Sequence, residues 1–328
     1  MNRVLTLLIL LLPVTLFSQE MTKVETDSSV IETKYYKGLN SIREFNELKN
    51  KDKTYYREYY YDTKILKQEG VFVDGDFVGI SREYSADGDL IRVINHDAGT
   101  WSIHGKTEFP FYELQESIKL KGDSLIKEVY SKEFFEKHVV WSIGSSYTYN
   151  ENESGSWSDV FESKPTKFLL RYDIMLDEGH VYDDMIGFEL DSKGNYLPNQ
   201  YQQINGFEKL PDTSKCSFTL TYDLAIKLAK ENGLVETDTS KATGLLKWQG
   251  YKKPELFNGH YRFYVIQLYD SKKIAGENKD HYEITDYYNV WSFNPWSSEL
   301  VEQKKMKQVH SREGYHGHLT GFIELKNK

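Results

Sequence analysis

The chain has 328 residues and a formal net charge of −9 at pH 7, from 41 Lys and Arg against 50 Asp and Glu. This acidic balance argues against a nucleic-acid partner, because phosphate binding needs clustered cations. One cysteine, Cys216, rules out an intramolecular disulfide, and 25 Tyr and 17 Phe beside only seven Pro favour packed strands over loops.

The first eighteen residues read as a secretory signal peptide. Arg3 precedes the apolar stretch Val4 to Phe17, which is too short for a bilayer span and is followed by Ser18 and the polar Gln19. The expected location is therefore exported, whether periplasmic, cell-surface or secreted. After signal removal no further stretch is long and apolar enough to span a membrane. Residues 19–34 are polar and rich in Ser and Thr without apolar periodicity, and read as a disordered leader.

Residues 35–108 contain an internal repeat. Arg57-Glu58-Tyr59-Tyr60-Tyr61-Asp62, then Ile65-Leu66-Lys67, returns twenty-five residues later as Arg82-Glu83-Tyr84-Ser85-Ala86-Asp87, then Leu90-Ile91-Arg92. Asp74-Gly75 and Asp87-Gly88 separate short apolar runs as two-residue hairpin turns would, so each unit is expected to be a β-hairpin that must stack on the next. The spacing of Gly70, Gly75, Gly79, Tyr84, Asp87, Gly88 and Leu90 resembles MORN-type repeats, with a more degenerate copy in which Asp62-Thr63-Lys64 stands for Asp-Gly. That resemblance, over about fifty residues, implies a rigid β-scaffold for interactions.

Residues 109–211 read as further antiparallel strands with connecting loops, among them Val139 to Ile143, Phe168 to Tyr172 and Ile186 to Leu190. Residues 212–328 read as an α+β domain. Thr221 caps a helix with the apolar face Leu224, Ala225, Leu228 and Ala229, ended by Asn232-Gly233. Strand runs follow at Gly259 to Asp270, Tyr282 to Phe293 and Glu299 to Met306. One helix on three or four antiparallel strands in this order resembles the PepSY and cystatin-like group, whose members often bind or restrain partners. The expected fold is thus mostly β with a C-terminal α+β unit.

Several residues carry candidate chemistry. His316 and His318, with His310 upstream and Glu313 between, could surround zinc if the strand were regular, while a turn at Gly314 and Gly317 competes for the same residues. His180 with Asp183 and Asp184 forms a second cluster, for which a solvated acidic turn is the favoured reading. Cys216, at the entry to a strand-like run, reads as a small buried residue rather than a nucleophile. No nucleophile elbow, metalloprotease helix or phosphate-binding loop appears, and no cofactor is expected. Tyr59, Tyr60 and Tyr61, with Trp291 and Trp296, are instead expected to present rings to a partner, a protein or a glycan of the cell envelope. The reading ranked first is an exported non-enzymatic binding or scaffold protein, ahead of an inhibitor or immunity-like module and of a secreted hydrolase of glycans or peptides.

Overall fold

Three antiparallel sheets and three helices make up the computed structural model, which describes residues 20–49, 51–104, 109–198, 206, 217–238, 240–249, 260–275, 281–313 and 316–325. Residues 1–18, where a signal peptide is expected, and Cys216 lie outside the described residues. The chain divides into two compact units, residues 1–108 and 109–328.

The first unit is one eight-stranded meander in which each strand pairs with its chain neighbours: β1 (Glu20–Glu25), β2 (Ser29–Tyr36), β3 (Ser41–Leu48), β4 (Thr54–Tyr60), β5 (Leu66–Val73), β6 (Asp76–Tyr84), β7 (Leu90–Asn95) and β8 (Thr100–Ile103). The leader expected at residues 19–34 is therefore corrected, because β1 and β2 occupy it. Backbone pairing over six residue pairs, closed by the Thr26 N–H to Ser29 carbonyl bond of 2.9 Å, needs no apolar periodicity in an edge strand that is exposed throughout.

Asp74 (φ 52°) and Gly75 (φ 98°) both adopt left-handed backbone and join Val73 to its partner Asp76, giving the two-residue hairpin that the sequence predicts. Gly88 is also left-handed (φ 91°), but its turn is wider. Tyr84 pairs with Leu90, and the Ser85 hydroxyl accepts the N–H groups of Asp87 and Asp89 between them. The 25-residue repeat equals one hairpin, so Arg57 on β4 and Arg82 on β6 fall two strands apart on the same face. Strand alternation sends the adjoining Glu58 and Glu83 to the other face. On that second face an aromatic stripe crosses the strands. Phe45 and Tyr56 have ring centroids 5.3 Å apart, Phe72 stacks on Phe77 at 4.1 Å, and Phe77 stacks on His96 at 5.3 Å.

The second unit opens with α1 (Tyr112–Val129) and α2 (Lys132–His138), where strands were expected. The buried face of α1 consists of Gln115, Ile118, Gly122, Asp123 and Ile126, so its helical period is carried partly by polar and small residues. Gly122 lets the helix approach the sheet, since a Cβ there would lie 2.7 Å from Leu170. Gln115 and Asp123 are satisfied in the interior: the Gln115 amide donates to the Trp157 carbonyl at 2.5 Å, and Asp123 accepts from the Tyr172 hydroxyl at 3.0 Å.

The second sheet contains β9 (Val139–Trp141), β10 (Tyr147–Tyr149), β11 (Ser154–Ser156), β12 (Lys167–Asp177), β13 (His180–Asp191) and β14 (Tyr196–Leu197). Helix α3 (Tyr222–Glu231) matches its expected signals. The Thr221 hydroxyl accepts the Leu224 N–H at 3.2 Å, and Gly233 (φ 94°) ends the helix with Leu234 buried beyond it. The third sheet holds β15 (Ala242–Gln249), β16 (His260–Ala275), β17 (His281–Phe293), β18 (Leu300–Glu313), β19 (His316–Leu319) and β20 (Ile323–Glu324), six strands where three or four were expected.

The middle and C-terminal regions share one interior rather than forming separate bodies. The Tyr130 hydroxyl donates to the Gly206 carbonyl, the Tyr261 hydroxyl donates to Met185 at 2.8 Å, and the rings of Phe134, Phe218 and Trp296 meet. The Asp177 carboxylate accepts the Tyr222 N–H at the start of α3 at 2.5 Å.

Candidate recognition face of the repeat sheet

Register places Glu44, Arg57, Glu69 and Arg82 side by side on β3, β4, β5 and β6, forming a row of alternating charge across the middle of the first sheet. Arg57 approaches Glu44, and Arg82 approaches Glu69, at 3.8 Å each, with guanidinium side chains 55% and 43% exposed. Such loose, wet pairs contribute at most about 1 kcal/mol, so the guanidinium groups remain available to a partner, while Glu69 also accepts the Tyr84 hydroxyl at 2.9 Å through one oxygen. A groove of about 390 Å³ lies over the row, lined among others by Asn46, Tyr55, Arg57, Ile80 and Arg82. Tyr55 and Ile80 expose 47% and 44% of their surface there, and the Asn46 Oδ1 is buried without a hydrogen bond.

The three adjacent tyrosines do not act as one surface. Tyr59 shares the face of Arg57 and is half-buried, with its phenol pushed up by burial. Tyr60 turns to the second face, where its hydroxyl donates to the Tyr84 carbonyl at 3.0 Å. Tyr61 lies beyond the strand end, with the Lys64 ammonium 4.4 Å from its ring centre. Tyr55, at the other end of β4, is exposed at 47%.

Trp291 and Trp296 are corrected from exposed rings to core residues, at 1% and 7% exposure. Trp291 lies on the α3 side of the third sheet, and its indole N–H donates to the Asn232 carbonyl at 3.0 Å, closing the end of α3. Trp296 packs against Phe218 at 5.1 Å. A tryptophan near a turn gives no sequence sign of which side it packs on, and here the turn folds back onto α2 and the segment before α3.

On the second face of the repeat sheet Glu58 is buried among three donors and one further cation. The Ser41 and Tyr56 hydroxyls donate at 2.6 Å each, the Lys67 ammonium lies at 3.1 Å and the Arg43 Nε at 3.7 Å. Burial alone would raise its pKa, but the hydrogen bonds from Ser41, Tyr56 and Lys67 outweigh it and hold the carboxyl below the ordinary value.

The histidines do not gather. His310 pairs with Leu319 and His318 with Ser311, so His310 and His318 fall on opposite faces of the β18–β19 hairpin, and His310 sits 3.4 Å from Asp286 instead. Residue 316 shares the face of residue 318 by register. Among the described residues no three His, Cys, Asp or Glu side chains converge as a metal site would require. His180 separates from its expected partners: it contacts Asp177 at 2.5 Å and stacks on the Tyr222 ring at 4.0 Å.

Asp184 instead belongs to a bulge opposite Asp173. It is left-handed (φ 52°), its N–H donates to Asp173 at 2.9 Å, and its carboxylate meets Arg171 at 3.1 Å. Burial pushes the Asp173 carboxyl up to about 7, with the charges of Asp183 and Asp184 adding to the rise and the Asp184 N–H opposing it. Between about 4 and 7 the folded chain holds a proton here that the unfolded chain has released, so this group's contribution to stability falls as pH rises through that window. Asp173→Asn is therefore expected to gain stability relative to the parent as pH rises from 5 to 8, read from urea midpoints at each pH, and a constant difference would refute the assignment. No sequence signal marked Asp173, which is embedded in the apolar run of β12.

No family model, curated protein or solved structure matches the chain, so the MORN-type and PepSY/cystatin-like resemblances rest on their quoted residues alone.

Proposed function

We infer that the chain is an exported, non-enzymatic binding or scaffold protein of the cell envelope, and that the charged face of the repeat sheet is its recognition surface. The observation that carries this reading is the exposed Glu44–Arg57–Glu69–Arg82 row beneath an open groove, with Tyr55 and Ile80 beside it. Rings and guanidinium groups at one exposed site are the side chains that most often dominate binding energy between proteins. A single-layer sheet holds them on a backbone bonded on both sides, so recognition needs little ordering of the chain.

The test is capture from the native envelope by tagged full-length protein, compared with Arg57→Ala/Arg82→Ala and with Tyr55→Ala. Loss of about 2 kcal/mol, roughly thirtyfold in affinity, is expected at such anchor positions. The unfolding midpoint should not move. Undiminished capture by both variants would remove this face from the proposal.

A further inference from the structure

The charged row has a symmetry that selects a partner, and the inference rests on the recognition reading above. Extended across the sheet, the row reads Thr22, Thr33, Glu44, Arg57, Glu69, Arg82, Val93 and Ser102, one residue from each of β1 to β8. Its midpoint, between Arg57 and Glu69, is also the midpoint of the eight-stranded sheet.

We propose that this face binds the same face of a second copy of the chain, the two sheets stacking about a two-fold axis that runs between them parallel to β4 and β5. That operation sets Arg57 against Glu69 of the partner copy and Glu44 against Arg82 of the partner copy, with each relation returned by symmetry. The neutral ends follow the same rule, Thr33 meeting Val93 and Thr22 meeting Ser102. In the flanking rows the two central strands bring apolar side chains and rings together. Tyr55 lies over Val71 on one side of the charged row, and Tyr59 lies over Leu66 on the other.

Rotation about the perpendicular in-plane axis would instead set Arg57 on Arg57 and Glu69 on Glu69, so the charge order admits one of the two stackings. The opposite face of the sheet lacks this property. There Lys34 on β2 would meet Arg92 on β7, and Glu58 is already consumed by its internal donors. Eight strands at about 4.8 Å and six residues at about 3.3 Å define a face of roughly 760 Å², close to the roughly 800 Å² per partner of a standard stable interface.

Sedimentation of the full chain tests the assignment. The parent is expected to be a dimer at about 100 μM, a concentration at which an interface of standard size is occupied, and to dissociate at least tenfold more readily in high salt. An acidic variant, Arg57→Glu/Arg82→Glu, and a basic variant, Glu44→Arg/Glu69→Arg, should each sediment as monomers. Mixed in equal amounts they should form a heterodimer, and far-UV circular dichroism of each checks that the sheet persists. If either variant fails to fold, Tyr55→Ser and Ile80→Ser, at exposed positions, should weaken the dimer at least tenfold. A monomeric parent, or variants that dimerise alone as the parent does, would overturn the self-association. In that event the recognition reading still stands or falls on the envelope-capture result.

Discussion

Trp291→Ala is expected to destabilise residues 109–328 by about 3–5 kcal/mol, the range for truncating a fully buried large aromatic side chain. Trp291 is 1% exposed, pairs across strands with Val265, and spends its indole N–H on the Asn232 carbonyl at 3.0 Å. Its removal leaves a cavity beneath α3 and a helix-end carbonyl without its donor. The measurement is the urea midpoint followed by far-UV circular dichroism. Tyr55→Ala, at 47% exposure, is the contrast and should stay within about 0.5 kcal/mol of the parent. A midpoint for Trp291→Ala as close to the parent as that of Tyr55→Ala would mean that the ring does not support the fold as described.

Glu58→Ala should have the largest effect in the repeat sheet, about 3 kcal/mol. Removing one member of a buried charge cluster leaves the others unsatisfied, and here the Ser41 and Tyr56 hydroxyls are themselves buried at 1% and 7% exposure. Lys67 and Arg43, about one third exposed, can turn to water, which places the expected cost at the lower end of the range for broken buried pairs. The folded pKa of Glu58 lies below its ordinary value of 4.5, so the unfolded chain takes up the proton first on acidification. Its contribution is complete above about 4.5 and is lost as pH falls through the folded value. Glu58→Gln should accordingly be less stable than the parent at neutral pH and should converge with it in acid. A gap that stays the same down to pH 3 would show that charge at this position is not what stabilises the sheet.

The histidine pairing in α2 shows how local chemistry is fixed by distant chain. His138 Nδ1 lies 2.8 Å from the Met175 carbonyl, and Nε2 accepts the Phe218 N–H at 3.1 Å, an arrangement that only the neutral ring protonated at Nδ1 satisfies. Burial holds its pKa below the ordinary value. Nothing near residue 138 in the sequence announces a bond to residue 218.

The sequence by itself determined the features that depend on neighbours along the chain. Asp74-Gly75 specifies a tight hairpin because both residues tolerate left-handed backbone. The Arg-Glu repeat puts opposite charges on opposite faces because strand side chains alternate, and Thr221 with Asn232-Gly233 bounds a helix by local capping. The tertiary structure decided what depends on which side a segment packs. It paired the polar leader as β1 and β2, because edge-strand stability comes from backbone bonds that leave no hydrophobic pattern. It made a helix of residues 112–129, whose buried face uses Gly122 and the satisfied polar groups of Gln115 and Asp123. It buried Trp291 and Trp296, split His310 from His318 by a strand register no spacing reveals, and lined up Glu44, Arg57, Glu69 and Arg82 from four strands. Capping and turn formation are settled over a few residues, whereas burial and charge order across a sheet are settled by contacts between residues far apart in the chain.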